Sequence, residues 1–120
     1  MDDGIVRSYK DLKVWQRAMD LTTEVYKLVV KLPSFEQYAL SDQMRRAAVS
    51  IPLNIAEGHT RASSKEFKNF LSIAEGSNAE VETQLLLCRN VGYLTDDDIK
   101  TALDYCDQVG KMIAAIRKKL

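Results

Sequence analysis

Two stretches in the middle of the chain carry the side chains most able to do chemistry. The first reads Arg45-Arg46-Ala47-Ala48-Val49-Ser50-Ile51-Pro52-Leu53-Asn54-Ile55-Ala56-Glu57-Gly58. The second reads Phe70-Leu71-Ser72-Ile73-Ala74-Glu75-Gly76-Ser77-Asn78-Ala79-Glu80-Val81-Glu82-Thr83-Gln84-Leu85. On a helix, Ser50, Asn54 and Glu57 are spaced by four and three and share a face, as do Ser77, Glu80 and Gln84. Ala47, Ala48, Ala56, Ala74 and Gly76 are small enough to let two such helices approach closely. A carboxylate in that seam must be paired or hydrogen-bonded. The pattern predicts a structural polar network drawn from Ser50, Asn54, Glu57, Ser77 and Glu80, with Arg45 or Arg46 as its cation. Such a network could set helix register and partly satisfy the carbonyl freed by Pro52, or it could line a small-ligand or catalytic pocket. We take the register role, under which Glu80→Ala lowers the melting temperature substantially.

Other catalytic patterns are missing. Dinuclear carboxylate bundles need a Glu-x-x-His from each of two helices, and the single histidine, His59, follows Glu57 by two residues. No phosphate-binding glycine loop or nucleophile elbow is present. Cys88 and Cys106 fall at core-facing positions of separate helices, outside any C-x-x-C, and read as reduced, buried side chains. The expectation is a protein that is not an enzyme, with no catalytic, cofactor-binding or metal residues and no cofactor. Candidate nucleic-acid contacts are Lys10, Lys13 and Arg17, with Arg61, Lys65 and Lys68.

The elements that position these residues are helical throughout, because apolar residues recur at three and four and no useful segment alternates with period two. The first helix is predicted over about Lys10 to Leu32, its stripe built on Leu12, Trp15, Met19, Thr22, Tyr26 and Val29, and Pro33 ends it. That stripe is broad enough to cover more than one neighbour. The second helix carries Leu40, Met44, Ala47, Ala48, Ile51, Ile55 and Gly58 on one face. Its interior Pro52 costs about 3 kcal/mol in an unsupported helix, yet the apolar register is unbroken, predicting a continuous helix kinked at Pro52. Ser63 with Glu66 forms a capping-box pattern opening the third helix. Thr95 caps the fourth, with Asp96, Asp97 and Asp98 in its first turn and Arg117, Lys118 and Lys119 in its last, where the helix dipole favours each sign. Four helices with short connections predict an all-α, antiparallel up-down-up-down four-helix bundle. It is read as a single domain over 1–120, with a short flexible N-terminus at about 1–8.

At these residues the chain resembles the 23S rRNA intervening-sequence proteins, also called four helix bundle proteins and sometimes labelled ribosomal proteins. The resemblance lies in Asp11-Leu12-Lys13-Val14-Trp15-Gln16, Gln43-Met44-Arg45-Arg46-Ala47-Ala48, Ser50-Ile51-Pro52 with Asn54-Ile55-Ala56-Glu57-Gly58, and the stretch 74–84. These elements keep their order and cover most of the chain; Leu53 departs from the small polar residue commoner there. The resemblance implies a homopentameric ring, genes that in some relatives lie inside ribosomal RNA insertions, and no established enzymatic activity. A related retroelement accessory protein is a strongly basic pentameric bundle that binds nucleic acid and a reverse transcriptase.

Composition bears on the choice between partners. The chain has 120 residues, 46% of them hydrophobic, enough for one core without disulfide or metal. Its 17 Lys plus Arg balance 17 Asp plus Glu, and the balance holds in each half of the chain. That neutrality removes the global attraction to polyanions and shifts the expectation toward protein contacts. The chain begins with an acidic stretch, and the longest apolar region is interrupted by charges, so neither a secretory signal nor a membrane span is expected. The reading is a cytoplasmic, homo-oligomeric scaffold or adaptor whose partner is itself, with an RNA- or DNA-binding accessory ring as the alternative.

Overall fold

The computed structural model describes residues 7–120, and the described residues form four α-helices and no strand. A 3-10 turn at Tyr9–Asp11 leads into α1 (Lys13–Val29), and a second at Ser34–Glu36 lies before α2 (Leu40–His59). Then come α3 (Ser64–Asn90) and α4 (Asp96–Lys119). Each helix packs on two others, in the cyclic order α1, α2, α3, α4, so the four close into a bundle. The chain reverses at every connection, which places the start of α1 and α3 beside the end of α2 and α4.

Boundary signals explain most of the stops. Ser8 accepts from the backbone of Lys10 while Asp11 accepts from Ser8, a reciprocal cap that fixes the 3-10 turn. Leu12 then adopts an extended conformation and splits this turn from α1, so the predicted start near Lys10 is two elements rather than one. The flexible stretch expected at about 1–8 falls mainly on residues 1–6, outside the described residues, whereas Ser8 is held by its cap. At the other end of α1, Lys31 and Leu32 bond to carbonyls three residues back, tightening the chain before Pro33. The Ser63 hydroxyl accepts from the Glu66 amide at 3.2 Å, but the Glu66 carboxylate bonds that hydroxyl and not the Ser63 amide, leaving the predicted box one-sided. Thr95 and Asp98 form the complete box. After α3, Gly92 takes a positive φ of 86°, and Tyr93 and Gly92 donate to the carbonyls of Cys88 and Arg89. This Schellman closure requires a residue tolerant of the left-handed region.

Helix α2 runs unbroken through Pro52. The carbonyl that the proline orphans is that of Ala48. It accepts a hydrogen bond at 3.0 Å from the Thr22 hydroxyl of α1, which also lies 2.8 Å from the Ala18 carbonyl. The compensation therefore comes from α1 and not, as the sequence pattern suggests, from the polar seam with α3.

The buried residues form one cluster, with Leu21, Met44, Ile51, Ile55, Leu71, Leu85, Ile99 and Ile113 fully enclosed. Each is worth about 1.5–3 kcal/mol relative to exposure. On α1 the core face is Val14, Ala18, Leu21, Val25, Leu28 and Val29. The stripe centred on Trp15, Met19 and Tyr26 is displaced outward: Trp15 is half-buried against the Tyr9 ring, while Met19 and Tyr26 are exposed. Among the described residues no helix is long and apolar enough to cross a membrane.

Candidate functional site

The polar seam forms where α2 and α3 cross at mid-length. The Ser50 and Ser77 hydroxyl oxygens lie 2.8 Å apart, and the Asn54 amide donates to both the Ser50 hydroxyl and the Ser50 carbonyl, at 2.9 and 2.7 Å. The flanking Ala47, Ala48 and Ala74 are buried, and their small side chains permit the approach. At the lower end of the same contact, Gly58 sits against α3 so closely that a Cβ would lie 2.7 Å from the Phe70 Cβ.

The charged members of the predicted network are elsewhere. Glu80 is exposed and makes no hydrogen bond or ion pair among the described residues, because three residues beyond Ser77 is about 60° around the helix, toward water. Glu57 pairs with Arg61 one turn later. Arg46 bonds the Asp42 carboxylate at 2.9 Å, and Arg45 donates to the Gln37 carbonyl at 3.1 Å. The seam is thus a neutral hydroxyl and amide cluster. Gln43, Arg46, Glu80 and Gln84 border a shallow cleft of about 360 Å³ over it.

Two polar residues outside the predicted set do comparable work. Asn78, buried in α3, donates to the Cys106 carbonyl of α4 at 2.9 Å, passing beside Gly110. Its position in the series Ala74, Asn78, Val81, Leu85 marked it as core-facing. Thr22 supports Pro52 from α1, as described above. Neither contact can be read from one helix alone.

The ionisable groups of the interior are kept neutral. Burial pushes the Cys88 thiol up to about 11, with the Glu36 carboxylate adding to the effect, and the Cys106 thiol up to about 12, with Glu82 adding. Both cysteines are free, and the Cys88 sulfur lies 3.6 Å from that of Met44. Thiols held so high are poor nucleophiles near neutral pH. Tyr93 donates to Glu36 at 2.9 Å, which raises its pKa and ties the α1–α2 connection to the turn after α3. Among the described residues no three His, Cys, Asp or Glu side chains come together, and His59 packs edge-on against Phe67.

The six candidate nucleic-acid contacts divide. Arg17 bonds Asp20 at 2.8 Å and lies over the Tyr105 ring, and Arg61 lies over Phe70 while pairing with Glu57. Lys10, Lys13, Lys65 and Lys68 are exposed, with no carboxylate in ion-pair range among the described residues. Near Lys10 and Lys13 in sequence, α1, α2 and the turn before α1 leave an apolar groove of about 380 Å³ between Tyr9, Trp15, Met19, Tyr26, Val49, Pro52, Leu53 and Ala56. Its polar groups are few: the Thr22 hydroxyl, which is committed to carbonyls, and the ring hydroxyls and indole N–H of Tyr9, Tyr26 and Trp15. Leu53 is 62% exposed there, Tyr26 46% and Met19 41%, a concentration of apolar surface in one strip.

Comparison with solved structures finds a protein of unknown function from the S23 ribosomal protein family of Bacteroides thetaiotaomicron. It is 26% identical, with a TM-score of 0.80 over 88% of this chain and 98% of that one. The search of curated proteins returns no match. The family model for the 23S rRNA-intervening sequence protein matches residues 10–115. Together with the four-helix architecture, this match shows that the chain belongs to the 23S rRNA-intervening sequence protein family.

Proposed function

We propose that the protein is a non-enzymatic scaffold or adaptor that works in the cytoplasm as a homo-oligomer, a pentameric ring in keeping with the resemblance described above. The observation that carries this reading is the apolar groove between α1 and α2. Its lining is mainly aliphatic and aromatic, and Met19, Tyr26 and Leu53 within it stand open to water. Surface apolar side chains scattered singly need no explanation, but a contiguous strip is the signature of a contact surface. A second copy of the chain is the occupant proposed. The non-enzymatic part of the reading is supported by the way its polar candidates are used: Ser50, Asn54 and Ser77 bond one another, and both thiols are held neutral.

Sedimentation equilibrium tests the proposal, with Leu53→Glu placing a charge in the groove at a position that the monomer does not bury. The expected result is a wild-type mass of five protomers of 13.6 kDa each, and a folded variant of lower mass. A wild-type monomer at micromolar concentration, or a variant that assembles as the wild type does, overturns it.

A further inference from the structure

Charge that is balanced along the sequence is not balanced along the bundle. The half of the bundle toward the start of α1 comprises residues 7–20, 51–76 and 109–120, with eleven Lys plus Arg against five Asp plus Glu. The opposite half, residues 21–50 and 77–108, has six against ten. Because the chain reverses at each connection, either half of the sequence samples both ends, and its charges cancel. Topology separates them.

Within the basic half, the arginines and acids largely consume one another. Arg17 pairs with Asp20, Arg61 with Glu57, and Arg117 with Glu75, while Asp11 accepts from backbone amides. What remains exposed without an ion pair among the described residues is a set of lysines: Lys10, Lys13, Lys65, Lys68, Lys118 and Lys119. The last two lie in the final turn of α4, where the helix dipole favours cations. Lys13 is the first residue of α1 and Lys65 the second of α3, where the dipole favours the opposite sign. Helix stability therefore does not account for them.

The chemistry of the end narrows the partner. None of the large exposed apolar side chains falls in the first turn of α1 or α3 or in the last turn of α2 or α4. The end thus lacks the apolar wedge by which a peripheral helix enters a bilayer, and its rings are half-buried in edge-on pairs, Tyr9 with Trp15 and Phe67 with His59, rather than open as platforms for unpaired bases. A duplex carries one phosphate charge per about 1.7 Å of axis. A duplex segment as long as the bundle's 28 Å width carries about 16 phosphates, more than six lysines can neutralise.

We propose that this end of the bundle docks on the phosphate backbone of duplex nucleic acid, without reading its sequence, through Lys10, Lys13, Lys65 and Lys68 flanked by Lys118 and Lys119. The strength of binding rests on the oligomer proposed above, since one end offers few cations and a cyclic assembly presents the same end from every protomer. The test is fluorescence anisotropy of a short random-sequence duplex DNA with the full chain, and sedimentation equilibrium on the same samples. The variant carries Lys10→Gln, Lys13→Gln, Lys65→Gln and Lys68→Gln; the control carries Lys27→Gln and Lys100→Gln at the acidic end. With about six phosphates neutralised, wild-type affinity should fall roughly a thousandfold between about 50 and about 200 mM salt. The variant should lose at least about tenfold at the lower salt, and the control should match the wild type. No binding at low salt, or a variant that binds like the wild type, overturns the inference. So does binding of phosphatidylserine vesicles in place of DNA, or salt-sensitive self-association without DNA binding. An assembled protein that ignores DNA rejects this inference alone, and a monomer that binds DNA in the predicted way rejects only the oligomer.

Discussion

Replacing Thr22 with Val removes the hydroxyl that serves the Ala48 carbonyl. That carbonyl belongs to a fully buried residue and has no amide partner four residues on, because Pro52 stands there. A buried acceptor left unpaired costs about 1–3 kcal/mol, against about 0.5–1.5 kcal/mol for a hydrogen bond whose partners can find replacements. In a Pro52→Ala background, the restored amide at position 52 can bond the Ala48 carbonyl directly, and Thr22→Val should then cost under about 1 kcal/mol. The two substitutions should therefore couple by about 1–2 kcal/mol, which for a chain of this size corresponds to about 3–5 °C per kcal/mol in Tm. The assay is urea unfolding of the wild type, both single variants and the double variant, followed by far-ultraviolet circular dichroism at one fixed protomer concentration. Additivity within about 0.3 kcal/mol would refute the assignment of Thr22 as the residue that makes the interior proline tolerable.

Four further expectations are independent of that cycle. Gly58→Ala drives a methyl into the Phe70 and Phe67 side chains and should destabilise by about 1–3 kcal/mol, while Gly76→Ala, with open space around it, should stabilise by about 0.5–1 kcal/mol; similar Tm shifts for the two would contradict the close α2–α3 approach. Both thiols should stay unreacted with Ellman's reagent in the native protein near about pH 8 and react in denaturant, since both are buried and keep their protons; the same raised pKa values give stability that is present below the ordinary thiol range of about 8.5 and is lost as pH rises through about 11 to 12. Rapid native labelling would contradict that. The Asp98 carboxyl is held below its usual range by the Thr95 amide first and by Lys31 next, so its contribution is present above about pH 4 and is lost as pH falls through its native value. The Tm difference between the wild type and Asp98→Asn should accordingly shrink in acid, and a gap that stays constant would count against it. Glu80→Ala should shift stability by less than about 0.5 kcal/mol, as for other exposed residues without partners; a large loss of Tm would restore the predicted network.

The helices were legible because their signals were local and concordant. Ser63 and Thr95 sit where caps are needed, Gly92 where a left-handed residue is needed, and apolar spacing carries α2 through Pro52 without a break. The facing of α1 was less legible, since its apolar stripe is wide enough to fit two orientations, and the pattern favoured the one that exposes Met19 and Tyr26. In the seam, the neutral residues Ser50, Asn54 and Ser77 meet as their spacing suggests, whereas Glu57, Arg46 and Glu80 turn to neighbours or water. Periodicity narrows a face to within about a third of a turn, and a long charged side chain can leave a seam at little cost. Thr22 and Asn78 escaped notice because each bonds a carbonyl of another helix, a relation that exists only after packing. The charge polarity was hidden for the same reason: it appears when segments far apart in sequence are gathered at one end.

The proposed oligomer stands on the α1–α2 groove as a contact between copies of this chain. Sedimentation equilibrium of the wild type beside Leu53→Glu tests it most directly. The wild type should sediment at a pentamer mass and the folded variant at a lower one. A wild type that sediments as a single protomer at micromolar concentration would contradict it.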